Sequence, residues 1–221
     1  MKFADFLERA VSHRGGLEAV EAQLPSPKSA DELRAYPADR YLSWMTRQVF
    51  RAGFVWKVID AKWDGFEEVF GGFDPHRIAM MSDEDMEKVS SDTRIVRNHA
   101  KVLSARKNAQ YILDVAAEHG SFGGFVADWP VAEITGLWEH MKKRANRLGG
   151  ASGPMFLRMV GKDTFVLSGD VTKALIGAGV VDKEPTSAKA LAAVQAAFNA
   201  WHTESGRPYC QMSRILAMSV G

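Results

Sequence analysis

The chain has 221 residues, 46% of them hydrophobic and 25% charged, enough apolar material for one good core or two small ones sharing an interface. A net charge of +1 neither requires nor excludes a nucleic-acid partner, because a phosphate-binding face needs only local clusters of Lys and Arg. The single cysteine, Cys210, excludes an internal disulfide and a multi-cysteine zinc site, and no apolar run approaches the roughly 18 residues that span a bilayer. The start, Met1 to Glu8, carries acids where a signal peptide carries a long apolar stretch, so the expectation is a cytoplasmic protein with no membrane partner.

Hydrophobic spacing is helical almost everywhere, which predicts an all-α fold of about ten short helices. Residues 1–40 read as an N-terminal helix and a linker around Pro25-Ser26-Pro27, and 41–221 as the main body. Ser82-Asp83-Glu84-Asp85 is a helix start, with a capping serine three residues ahead of an acid. Ile95, Val96, His99, Val102, Leu103, Arg106, Ala109 and Ile112 repeat at three and four residues and predict one long buried helix. Thr164 to Leu167 is the nearest thing to a strand and is too short to define a sheet. Pro185-Thr186-Ser187 opens a periodic run from Ala188 to Trp201, and Ser205 to Arg214 reads as a loop entering a final helix.

Two segments carry chemistry. From Leu148 the chain reads Leu-Gly-Gly-Ala-Ser-Gly-Pro-Met-Phe-Leu, a glycine-rich turn leading directly into a helix. Such a turn exposes backbone N–H groups at a helix N-terminus and lets the backbone approach an anion closely, although ordinary helix caps use the same glycines. The basic run Lys142-Lys143-Arg144, with Arg147, leads into it and suits either a phosphate or a solvated helix end. Further on, Asp170 sits at the start of another helix, where an acid also serves as a plain N-cap.

Together these segments resemble the hairpin-plus-aspartate signature of the helix-hairpin-helix DNA glycosylases. Lys162-Asp163-x-Phe165, then Asp170 and Lys173, is particularly similar to the type II bacterial alkyladenine glycosylases. The resemblance implies a DNA backbone clamp at Gly149, Gly150, Ser152 and Gly153 (hairpin about 140–160), phosphate contacts at Lys162 and Lys173, and a catalytic carboxylate on Asp170. A carboxylate there would stabilise the positive charge that develops on the sugar as the N-glycosidic bond breaks, and would orient the attacking water. Where bifunctional members carry a nucleophilic lysine this chain has Pro154, which implies hydrolysis without lyase activity.

A second resemblance covers residues 45–115. Arg51-Ala52-Gly53-Phe54-Val55-Trp56, then Phe66 to Phe70, Phe73-Asp74-Pro75 and Ile95 to Lys101 with Asn108-Ala109, resembles the type I 3-methyladenine DNA glycosylase family. It implies that Trp56 helps form the pocket for a flipped base, where an aromatic face suits an alkylated purine, while a core role for Trp56 stays open. The family's pocket glutamate falls on Gln48, a neutral amide, which puts recognition of cationic 3-methyladenine in question. The family's zinc site of two Cys and two His cannot be rebuilt from one Cys, so no zinc and no required cofactor are expected. A monovalent cation at the hairpin is left open. Trp44 is a candidate second pocket wall and Tyr209 a candidate near the lesion. The six histidines show no metal-ligand spacing.

The reading is therefore two helical lobes with a DNA-binding cleft between them: a monomeric, monofunctional glycosylase that removes an alkylated purine such as 3-methyladenine from double-stranded DNA. Two other classes stay in view, a non-catalytic lesion-binding protein and a helical interaction protein on the same fold.

Overall fold

The computed structural model describes residues 1–220, and among them it contains fifteen α-helices and no strand. They are α1 (Phe3–Arg14), α2 (Leu17–Glu21), α3 (Ala30–Ala35), α4 (Ala38–Arg51), α5 (Trp56–Ala61), α6 (Trp63–Val69), α7 (Pro75–Ala79), α8 (Asp83–Ser91), α9 (His99–His119), α10 (Phe122–Asp128), α11 (Ile134–Arg144), α12 (Ser152–Val160), α13 (Gly169–Gly177), α14 (Ala188–Ser205) and α15 (Tyr209–Met218). The all-α class is as expected, but the helices outnumber the predicted ten or so. Six of them have only five to seven residues, too few turns to display a periodic apolar stripe.

The helix-start signals act as the sequence implies. Ser82 accepts from the Asp85 N–H while Asp85 caps Ser82 in return, and Ser187 accepts from the Ala190 N–H at the start of α14. The long helix α9 begins later than its periodicity suggested. Asn98 caps it, leaving Ile95 buried in the loop ahead, where an apolar residue contributes to the core without being helical.

The chain divides into two compact units: 1–28 with 129–137 and 161–221, and 29–128 with 138–160. The N-terminal segment expected over 1–40 is thus split, with 1–28 joining the C-terminal helices because its apolar face is aromatic and finds aromatic partners there. Phe6 meets Trp201 edge-on at 5.2 Å, Trp201 meets Phe198, and Phe198 stacks on Phe165 at 4.2 Å. Two helix N-termini in this unit lack capping residues of their own and are closed by remote carboxylates. Glu204 of α14 accepts from the Phe3 and Ala4 N–H groups of α1, and Asp163 accepts from the Tyr209 and Cys210 N–H groups of α15.

The second unit is built around α4, whose Tyr41, Leu42, Met45, Val49 and Phe50 are buried against α9 and α12. Phe50 packs edge-on against Phe66 at 4.7 Å, and Trp63, Phe66, Phe70 and Phe73 form a run of stacked rings beside it. The amphipathicity of α4 is what places a functional face. The side that is not spent on the core carries Trp44, Arg47 and Arg51, and Gln48 lies at its margin.

Candidate functional site

In the second unit, α4, α5 and α12 enclose a small cavity of about 110 Å³. Its α4 wall is Gln48 and Arg51, one helical turn apart, followed by Ala52. Trp56, the first residue of α5, forms the aromatic side, and Ala151, Ser152 and Met155 close it from the start of α12. Three residues singled out in the sequence, Gln48, Trp56 and Ser152, therefore meet at one place.

Gln48 is 3% exposed, and its Nε2 is buried with no hydrogen-bond partner among the described residues. A buried amide donor left unpaired costs on the order of 1–3 kcal/mol, a penalty that a ligand presenting an acceptor would remove. Trp56 is 48% exposed, so this tryptophan is not a core residue. The Arg51 guanidinium lies 4.9 Å from the centre of the Trp56 ring and 5.9 Å from that of Trp44, and Arg47 lies 5.1 Å from Trp44 and 5.0 Å from Trp63. Trp44 does not line the cavity; it packs against Arg47 and Arg51 and so supports the α4 wall from outside. Both guanidinia converge on Asp60, which accepts from Arg47 Nε at 2.9 Å and from Arg51 Nη2 at 2.7 Å. Burial opposes ionisation of Asp60, but the hydrogen bonds from Arg51 and Arg47 outweigh it and hold the carboxyl below its ordinary value.

The turn that leads into α12 is held from within the same unit. The fully buried Asn108, in the middle of α9, donates through Nδ2 to the Asn146 carbonyl at 3.1 Å and accepts from the Asn146 N–H at 2.7 Å. This two-way amide clamp fixes the approach to Arg147 and Gly150, both in the left-handed region at φ 62° and 59°. Gly153 is glycine for a spatial reason: a Cβ there would sit 2.6 Å from the Leu148 carbonyl oxygen. Pro154 is buried in the first turn of α12, where a missing N–H is tolerated. Of the basic run, Lys142 and Lys143 pair with Glu139 and Arg144 with Glu118, whereas Arg147 is exposed and has no carboxylate partner among the described residues.

A neighbouring lysine completes this unit's electrostatics. Lys101 is 7% exposed, donates to the carbonyls of Phe50 and Ala52 at the end of α4, and lies 4.4 Å from the Phe54 ring centre. Burial, then the charge of Arg147, lowers its affinity for a proton.

The remaining expected residues lie in the other unit. Asp170 is exposed in the first turn of α13, with Ser168 as the cap, and its carboxylate is 3.1 Å from Lys173 Nζ. Lys162, expected at a phosphate, is instead 4% exposed and donates to the Trp129 carbonyl at 2.6 Å, so its ammonium braces its own unit. Tyr209 is 2% exposed; its hydroxyl donates to Asn199 Oδ1 at 2.6 Å and its ring belongs to the aromatic cluster around Phe198. Among the described residues no group of three His, Cys, Asp or Glu could hold a metal ion, and no helix is long and apolar enough to cross a membrane. In the sequence Arg51 stands out only as part of a motif; its position one turn after Gln48 is the signal that it shares the cavity.

Comparison with known proteins places these features. Residues 35–151, which include the cavity's α4 and α5 walls and the hairpin up to Ala151, match the methyladenine glycosylase family model. The chain is 30% identical over 76 residues to DNA-3-methyladenine glycosylase 1 of Escherichia coli (strain K12), a match covering 34% of this chain and about two fifths (41%) of that protein's length. Among solved structures, 3-methyladenine DNA glycosylase I of Staphylococcus aureus, in a structure addressing 3-methyladenine recognition, is 23% identical with a TM-score of 0.51, over 57% of this chain and 77% of that one. The 8-oxoguanine glycosylase/lyase of Methanocaldococcus jannaschii, solved with a 15mer DNA, is 12% identical with a TM-score of 0.54, over 95% of this chain and 94% of that one. These structural likenesses show a helix-hairpin-helix glycosylase-like fold.

Proposed function

We propose a reaction for this chain from one premise, that it belongs to the methyladenine glycosylase family: it removes an alkylated adenine, 3-methyladenine first among them, from duplex DNA by hydrolysing the N-glycosidic bond. The observation that carries the reading is the cavity beside the hairpin, with an unpaired buried amide at Gln48, a half-exposed aromatic face at Trp56 and Ser152 opening α12. A base in a duplex is stacked and paired, so a site of this kind can act only on a base turned out of the helix, at a cost of a few kcal/mol that a damaged base lessens.

The turn Gly149 to Gly153, held by Asn108 and flanked by the cation of Arg147, suits the DNA backbone: its glycines admit close approach, and the start of α12 offers N–H groups to a phosphate oxygen. Trp56 stacks on the extruded base, and Gln48 Nε2 donates to an acceptor on its edge. Because Pro154 stands where a nucleophilic lysine would attack the sugar, the reaction is hydrolysis that leaves an abasic site, with no lyase step. Asp170 is the carboxylate we assign to support of the oxocarbenium-like transition state, a role favoured by its place in the first turn of α13. The reading needs one copy of the chain and no metal or cofactor.

The test is release of free base from methylated duplex DNA, read by chromatography, for the wild type and Asp170→Asn. Release of 3-methyladenine that falls by about 10²-fold or more in the variant, with DNA binding retained, is the expected result. Salt-sensitive DNA binding with no base released from alkylated, deaminated or oxidised duplexes would replace the enzyme reading with a lesion-binding one.

A further inference from the structure

A family whose lesion carries a positive charge in DNA would be expected to offer that charge a carboxylate. The cavity of this chain has none: no Asp or Glu lines it, and the polar side chains that do are Gln48, Arg51 and Ser152, each able to donate a hydrogen bond. The carboxylate that touches these lining groups is Asp60, and it is shared between two guanidinia, Arg47 and Arg51, so that the cluster retains a net positive charge. Lys101 adds another cation at the Ala52 carbonyl. Arg51 also lies over the Trp56 ring at 4.9 Å, so the electron-rich system that would favour a cationic base already serves a cation.

We infer that this pocket selects an uncharged purine lesion over a cationic one, and that Gln48 determines the choice. The inference rests on the reading of the cavity as the site for a flipped base. A carboxamide is the side chain that fits an adenine-type edge by hydrogen bonding alone: its N–H donates to the ring nitrogen N7 and its oxygen accepts from the exocyclic amino group. The unpaired buried Nε2 of Gln48 is the half of that pair which needs an acceptor. For a neutral purine with N7 or a carbonyl oxygen on this edge, the donor is satisfied and no charge is brought near Arg51. A cationic N-alkyl purine meets the same donor and, in addition, a like charge with no counterion, which in a partly desolvated site is unfavourable. Substrates of this class include the deaminated purine hypoxanthine and adenine adducts that remain neutral.

Three duplexes decide the matter, carrying hypoxanthine, 3-methyladenine, or 3-deaza-3-methyladenine, which keeps the shape and N7 edge of 3-methyladenine without its charge. For the first two, single-turnover release is divided by the spontaneous rate of base loss, so that the lability of the cationic nucleoside does not enter. The expected result is a rate enhancement for hypoxanthine at least equal to that for 3-methyladenine, and a fall of the ratio by about tenfold or more in Gln48→Glu. An enhancement tenfold larger for 3-methyladenine in the wild type, or a ratio unchanged in a folded Gln48→Glu, overturns the inference and leaves the glycosylase reading standing. If no base is released from either duplex, the enzyme reading fails alone provided the uncharged isostere binds the wild type at least about tenfold more tightly than undamaged DNA; without that preference the inference fails as well. Should Gln48→Glu not fold, the wild-type ratio and the isostere affinity decide between the two outcomes.

Discussion

Two buried glutamines, one in each unit, show how the same side chain serves structure in one place and recognition in another. Gln195 in α14 is 7% exposed and fully engaged: Oε1 accepts from the Thr135 N–H at the start of α11, and Nε2 donates to Asn199 Oδ1 at 2.7 Å and to the Val131 carbonyl. Gln48 in α4 is buried even more completely, yet its Nε2 has no partner among the described residues. A buried amide is tolerated in a folded protein when its hydrogen bonds are made, and where they are not, the unmet donor points to something that arrives from outside. The contrast separates a polar group that holds a fold together from one that the fold holds ready.

Substitution sharpens this contrast. The largest stability effect is expected for Gln195→Leu, which strands the Thr135 N–H and the Asn199 side chain and should cost about 2 kcal/mol in urea denaturation. Gln48→Met, similar in shape and without hydrogen-bonding groups, should leave stability within about 0.5 kcal/mol of the wild type or raise it, because no bond is lost, while abolishing selective affinity for a lesion-bearing duplex. Equal destabilisation by the two changes would dissolve the comparison.

The smallest effect concerns Asp60, whose carboxyl is held below its ordinary value because the Arg51 and Arg47 hydrogen bonds outweigh burial. A depressed folded-state value means that the stabilisation is present above the unfolded value near 3.9 and is lost as pH falls through the lower folded one. With about a third of the side chain exposed to solvent, its size is well under 1 kcal/mol. The difference in stability between wild type and Asp60→Asn should therefore shrink as pH drops below about 4.

Much of this is legible in the sequence because local physics writes it there. The serine caps at Ser82 and Ser187 sit at fixed offsets from the N–H groups they satisfy, and the periodicity of α9 follows from one buried face. Gln48 and Trp56 are marked by their motif positions alone, and the cavity brings them together. What is not legible is what depends on distant partners. Lys162 carries the same charge whether solvated or buried, and only the Trp129 carbonyl, 33 residues away, decides which. Tyr209 follows the same rule, its position set by Asn199 and Phe198. The division of the chain into discontinuous units is likewise invisible in local composition, since the aromatic face of α1 meets its partners near residue 200.

The clamp between Asn108 and Asn146 has a consequence for motion. A surface turn ordinarily fluctuates on its own and its amides open early, well before the helices around it. Here the Asn146 N–H is bonded to a fully buried side chain in the middle of a 21-residue helix. The turn cannot open at that point without prying Asn108 from the core, so the part of the molecule best suited to grip DNA belongs kinetically to the slowest element of its unit.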